Sequence, residues 1–113
     1  MKDEIRQAIY DKYIAPTKKE RPDYIGVEIE MPVVNLSGQP VDETVSIKTA
    51  ESFIRHFDFI VSGRDADGNI TSAKDKLTGD ILSFDCCYSN LELSFGKAVG
   101  LFEIKERFEK YVR

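Results

Sequence analysis

The sequence predicts an α+β domain: an antiparallel sheet with helices on its apolar face and a polar face left open. Two runs, Tyr24 to Val34 and Asn90 to Gly96, alternate apolar and polar residues with period two. A segment from Ser46 to Val61 spaces its apolar residues by three and four, as a helix with one buried stripe does. Two turn signals, Asp65-Ala-Asp-Gly-Asn69 and Leu77-Thr-Gly-Asp80, punctuate the region between that helix and the second run.

Taken in chain order, the first element spans Lys2 to Ile14, with Ile5, Ile9 and Tyr13 four apart and Asp3 and Glu4 in the opening turn, where the helix dipole favours negative charge. Pro16 is expected to end it, because the residue before a proline is pushed out of the helical region. A polar connector through Asp23 leads to the first strand, which should stop between Pro32 and Asn35; Leu36-Ser-Gly-Gln-Pro40 then reads as a turn. The central helix, Ser46 to Val61, buries Ala50, Phe53, Ile54, Phe57, Ile60 and Val61, and Gly63 is its natural stop. The turns that follow imply a meander of strands at Ile70 to Lys76, Ile81 to Tyr88 and Asn90 to Phe95. A last helix, Leu101 to Arg113, places Leu101, Ile104, Phe108, Tyr111 and Val112 on one face.

Composition narrows the class of function. The 113 residues suit a single domain, and 42% hydrophobic with 32% charged residues describe a globular chain. Sixteen basic against twenty acidic side chains leave a net charge of −4. That balance argues against nucleic-acid binding through phosphate neutralisation, and no aromatic-interleaved basic stripe occurs. No apolar run reaches the ~18 residues that cross a bilayer, and the N-terminus lacks the apolar stretch of a signal peptide, so cytoplasmic residence is the expectation. Cys86 and Cys87 have no C-x-x-C partner; both are expected to be reduced, at least one of them buried, and to point to opposite faces if extended. His56, the one histidine, lies beside Phe57 and reads as a surface or packing residue. Without a second histidine, no Ser-His-Asp triad or Cys-His pair has support.

The chemistry-bearing residues lie on the polar face. In the first run Ile25, Val27, Ile29, Met31 and Val33 point one way, and Glu28 and Glu30 the other, roughly 6.5 to 7 Å apart along the strand. In the second, Leu91, Leu93 and Phe95 are apolar and Asn90, Glu92 and Ser94 polar. In one sheet, three carboxylates would converge, joined by Ser83 and Asp85. Such a cluster repels itself unless a cation or proton intervenes. Oxygen-only ligation suits magnesium, manganese or calcium better than zinc. Polar alternation in a half-buried sheet is most often a solvated face; glutamates in a strand beside Gly26, which permits close approach, stand against that plain reading. Asp65-Ala-Asp-Gly-Asn69 superficially resembles a calcium loop, but its glycine stands at the fourth position and no glutamate follows at the twelfth, so it reads as a hairpin turn.

Through Tyr24-Ile-Gly-Val-Glu-Ile-Glu-Met31, the Asp65-Ala-Asp-Gly-Asn69 hairpin and the stretch from Ser83 to Phe95, the chain resembles the N-terminal part of the catalytic domain of glutamate-cysteine ligase, in the glutamine synthetase-like carboxylate-amine ligases. The resemblance implies that the sheet is part of a bowl of antiparallel strands, and that Glu28, Glu30 and Glu92 are metal ligands. Asp85, seven residues before Glu92, occupies the offset of a further ligand; along one strand that odd spacing would put it on the wrong face unless a bulge or break intervened. The implied chemistry is ATP-dependent: glutamate is phosphorylated on its side-chain carboxylate, the amine of cysteine attacks the acyl phosphate, and Mg2+ or Mn2+ neutralises charge on the transferring group. The resemblance covers most of this chain but only the opening part of such an enzyme. The expectation is therefore a truncated piece or short paralogue of a glutathione-biosynthesis ligase that carries part of the magnesium-binding wall and is inactive alone. Sheet edges left uncovered would favour a homodimer. The alternative is a small noncatalytic module whose polar face binds a ligand or partner.

Overall fold

The computed structural model describes residues 1–112. In chain order the elements are α1 (Lys2–Ile9), β1 (Glu28–Pro32), α2 (Glu43–Phe57), β2 (Ile60–Arg64), β3 (Ile70–Lys74), β4 (Ile81–Phe84), β5 (Asn90–Ser94) and α3 (Leu101–Val112). The five strands form one antiparallel sheet in the order β1-β5-β4-β3-β2. This is the α+β class that the alternation and turn signals predict.

The apolar face carries the core. Leu82 and Leu93 are fully buried, and Ala50 and Ile54 of α2 close over them. Tyr111 of α3 completes an aromatic cluster with Phe53, Phe57, Phe59 and Phe95, with centroids 5.1 to 6.2 Å from its ring. Val27, Ile29, Met31 and Val33 pack only partly, because β1 is an edge strand.

Helix α2 begins where chemistry permits it. Asp42 has extended backbone angles, and its side chain accepts the Val45 N–H at 3.1 Å, satisfying one of the free donors of the first turn. The helix ends earlier than its spacing predicts. Asp58 turns left-handed (φ 57°) and its N–H bonds back to Ile54, a conformation that a short polar side chain tolerates. Ile60 and Val61, which continue the helical period, therefore belong to β2, and Gly63 is a strand residue. At Gly63 a Cβ would come within 2.6 Å of the Ser72 hydroxyl and 2.8 Å of the Thr71 hydroxyl, so the glycine permits close strand approach. The β2–β3 ladder shifts register around it, pairing Gly63 with Ser72 but Arg64 with Ile70. Thr71 is left over as a bulge, which lets Ile70 and Ala73, three apart, both face the core.

Pro16 does not end the first helix. After α1 the chain makes a π-helical turn over Tyr10–Ile14 and a 3-10 segment over Ala15–Lys18, with Pro16 in the opening turn of that segment, where its missing N–H has no role. The helical path stops at Lys19, which is extended. No residue of this arm is buried, so the apolar-face packing expected of the helices holds for α2 and, in α3, for Tyr111 and in part Ile104, while Leu101, Phe108 and Val112 of the predicted face are exposed.

Helix α3 is fastened by ionic contacts as well as by Tyr111. Asp80, fully buried, accepts from the Gly96 N–H (2.7 Å), the Arg107 guanidinium (3.0 Å) and the Tyr111 hydroxyl (2.9 Å). Arg107 also bonds the Gly96 carbonyl and pairs with Glu103. Burial, then the bond to Asp80, pushes the Tyr111 hydroxyl pKa up, keeping it neutral as a donor.

Candidate metal centre

The polar face is assembled by strand register. Glu30 pairs with Glu92 across β1 and β5, and Glu92 pairs with Ser83 across β5 and β4. Paired residues share a face, so the three side chains project together. Asp85 follows Ser83 by two. β4 ends at Phe84, and the chain reverses between Asp85 and Asn90, whose backbones bond at 3.0 Å. That reversal is the break that the seven-residue offset from Glu92 requires: parity is counted across a hairpin, and Asp85 returns to the face of Glu92.

Glu30, Asp85 and Glu92 each offer a carboxylate oxygen, and the three oxygens lie within 4.8 Å of one another. Glu28 is not brought into this group. It lies two residues earlier on β1, opposite Ser94, exposed at the edge of the same face. Ser83 shares the face without a carboxylate to contribute.

A neutral donor meets each of the three acids. The Ser94 hydroxyl donates to Glu92 at 2.6 Å, and the Asn90 amide donates to Glu30 at 3.2 Å. The Cys86 thiol donates to Asp85 at 3.4 Å, and that bond, together with the Asp85 charge, pushes the thiol pKa up. Among the described residues, no lysine or arginine forms an ion pair with any of the three carboxylates. The contrast with Asp80 and Asp75 is direct, since those acids are met by Arg107 and Lys110. A cluster of three negative groups without a cationic partner is a cluster that a cation stabilises.

The donor set can be tested against ion size. Opposite ligands of a magnesium ion, at 2.0–2.1 Å from the metal, stand about 4.2 Å apart, and those of calcium, at 2.3–2.6 Å, about 4.6 to 5.2 Å. Oxygens no more than 4.8 Å apart are within reach of one hard cation, and because three ligands of one ion cannot all be opposite, the side chains draw closer on binding, more for magnesium than for calcium. Glu30 is exposed and the other two half-buried, so one side of the triangle stays open to water or to phosphate oxygens.

The turn that presents Asp85 is itself tied down. Tyr88, near its tip, donates its hydroxyl to Asp65 in the β2–β3 turn. Asp65 also accepts from the Asp67 N–H (2.9 Å), the Asn69 N–H (2.8 Å) and the Asn69 amide (3.0 Å), which makes Asp65-Ala-Asp-Gly-Asn69 a hairpin turn held by its first residue, with Gly68 at φ 86°. The bonds from Tyr88 and Asn69 hold the Asp65 carboxyl down at about 2, and the same contact pushes the Tyr88 hydroxyl up to about 12. Sequence reasoning places Asp65 in a turn but Tyr88 at the end of a strand, which in fact stops at Phe84, and does not join them; 23 positions separate them, and only hairpin stacking brings the two turns to one end of the sheet.

Cys86 and Cys87 are free, as expected, but both are exposed, which corrects the expectation of a buried thiol. They occupy a turn, with Cys86 left-handed (φ 61°), so strand alternation does not apply; both line one open depression beside Phe84 and Tyr88. His56 is exposed and meets the Phe57 ring edge-on at 4.6 Å, a packing role. No helix among the described residues is long and apolar enough to cross a membrane. Compared with protein-family models, with curated proteins and with solved structures, the chain matches none.

Proposed function

We propose that this chain supplies part of the magnesium- or manganese-binding wall of an ATP-dependent carboxylate-amine ligase of the glutamate-cysteine ligase type, with Glu30, Asp85 and Glu92 as ligands. The observation that carries the reading is the convergence of three carboxylate oxygens within 4.8 Å on the open face of the sheet, from the middles of β1 and β5 and the end of β4, with no cationic partner among the described residues. An ion held by these carboxylates would supply positive charge against the phosphate oxygens of ATP, the chemistry that phosphoryl transfer to a carboxylate needs. The chain's own residues would hold and orient. Ser94 and Asn90 fix two carboxylates, and the Tyr88 to Asp65 contact steadies the turn that carries Asp85. Glu28, at the strand edge, would contact the hydration shell or a second ion. Cysteine, glutamate and ATP are the substrates this reading names, and a cytoplasmic location goes with it.

Calorimetric titration of Mg2+ and Mn2+, with and without ATP, tests the proposal on the chain and on its Glu30→Gln and Glu92→Gln variants. Saturable binding that either substitution abolishes, tightened by ATP, is the expected result. Binding that is indifferent to ATP would favour a noncatalytic module, and no binding to the unaltered chain would remove the metal site.

A further inference from the structure

Several apolar surfaces among the described residues lack a partner, the outer face of α3 with Leu101, Phe102 and Phe108 included, and two of them are complementary. The first is the N-terminal arm, residues 1–18. Met1, Ile5, Ile9 and Tyr13 recur every four residues along it, with Tyr10 and Ile14 on the flank, and Tyr13 is 59% exposed. An isolated helix of this length is marginal in water and needs a partner for its apolar stripe. The second is a groove of about 310 Å3 on the apolar side of the sheet between β1 and the two packed helices, lined by Met31, Val33, Val34, Phe53, Leu91 and Tyr111 among others. The arm stands away from the body. The Cα radius of gyration is 18.2 Å and the longest dimension 58 Å, where a compact chain of this length has a radius of gyration of about 13 Å.

We infer that the arm of one copy docks in the β1 groove of a second copy, reciprocally, giving an arm-exchanged homodimer. Area supports the occupant. Between Ile5 and Ile14 the five large apolar side chains of the arm are 39% to 59% exposed, leaving roughly 400 Å2 to bury per arm. Two arms and two shallower grooves then remove about 1,000 Å2, at the low end of specific interfaces, where reversible dimers lie. Charge supports it as well. Residues 1–18 carry a net +1 and the rest of the chain −5, so an arm meets a body of opposite sign. That near-neutral arm suits an anionic lipid surface poorly.

The connector favours a second copy over the arm's own body. Ile25 is paired with Ala98 at one end of the sheet, whereas Val33 and Val34 are at the other end of β1. To enter its own groove, the chain must reverse immediately before Ile25 and run back along β1. Lys19 is extended, Pro22 fixes its own φ and holds Arg21 extended, and no glycine precedes Gly26. A second copy requires no reversal.

Sedimentation velocity on the full chain tests this with two variants: Ile9→Glu with Tyr13→Glu in the arm, where no residue is buried and the body stays folded, and Val34→Glu on the half-exposed rim of the groove. The unaltered chain is expected to sediment as a dimer at micromolar concentration, and each variant at half that mass. An equimolar mixture of the two variants should regain a weaker dimer, because one intact arm then meets one intact groove. A monomeric unaltered chain overturns the inference, as does a dimer that survives the arm variant, which would mean pairing through sheet edges. A dimer lost in the arm variant but kept in Val34→Glu also overturns it, since arm would then meet arm. A mixture that stays monomeric does so too.

Discussion

Glu30 and Glu92 are direct partners in the β1–β5 register, two carboxylates facing each other across an antiparallel pair. Like charges so placed destabilise a sheet, and Asp85 adds a third. The arrangement therefore works against the fold in the absence of a cation. Glu92→Gln is expected to raise the thermal midpoint of the metal-free protein while erasing the rise that Mn2+ gives the unaltered chain. Differential scanning fluorimetry with chelator and with Mn2+ measures both; a variant that still gains from Mn2+ would place the ion elsewhere.

The contact between Asp65 and Tyr88 sets two pH limits. Asp65 is depressed in the folded chain to about 2, so its contribution is present above its ordinary carboxylate range and is lost as pH falls toward 2. Tyr88 is raised to about 12, so its contribution is complete below the ordinary phenol value near 10 and is lost as pH rises from there toward 12. Tyr88→Phe should flatten the stability profile at both ends. Urea midpoints collected from pH 2 to 11 would show it, and an unchanged alkaline limb would count against the contact.

Arg107 and Asp80 form a buried pair at 3.0 Å, and Asp80 has no exposure to fall back on. Removing the guanidinium by Arg107→Ala leaves a buried carboxylate with only the Gly96 N–H and the Tyr111 hydroxyl, and should cost about 3 kcal/mol. Equilibrium urea unfolding gives the value. Gly96→Ala should destabilise the same corner, because a Cβ at Gly96 would overlap the Thr78 carbonyl oxygen, which is backbone and cannot turn aside.

Ser46 presents the opposite case. It is fully buried in the first turns of α2, and its hydroxyl has no hydrogen-bond partner among the described residues. Ser46→Ala removes an unsatisfied polar group and improves helix propensity, and should stabilise the chain by about 1 kcal/mol. A loss of stability in the same unfolding measurement would reveal a partner for that hydroxyl.

Local pattern made much of this chain legible before its fold was known. Alternation in Tyr24 to Val34 and Asn90 to Gly96 separates core from polar face residue by residue, because side chains in a strand obey a period of two wherever the strand lies. Turn chemistry at Asp65 to Asn69 and Leu77 to Asp80 identifies hairpins for an equally local reason. Glu30 and Glu92 thus fall on one face by sequence, given a shared sheet.

Other features depend on where the chain goes next. Ile60 and Val61 satisfy a helical period, yet a left-handed Asp58 turns them into a strand, and the buried Phe59 that follows rewards the turn only once the sheet exists. Asp85 reaches the acidic group because the chain reverses after Phe84, a matter of hairpin parity that linear spacing cannot express. Glu28 carries the same strand pattern as Glu30 but pairs with Ser94 and stays apart. The residues themselves determine which way each side chain faces along its own strand, through steric rules that reach one or two neighbours. Which faces meet, which acids converge and which apolar stripe is left without a partner are decided by tertiary structure, because each depends on contacts between segments far apart in the chain.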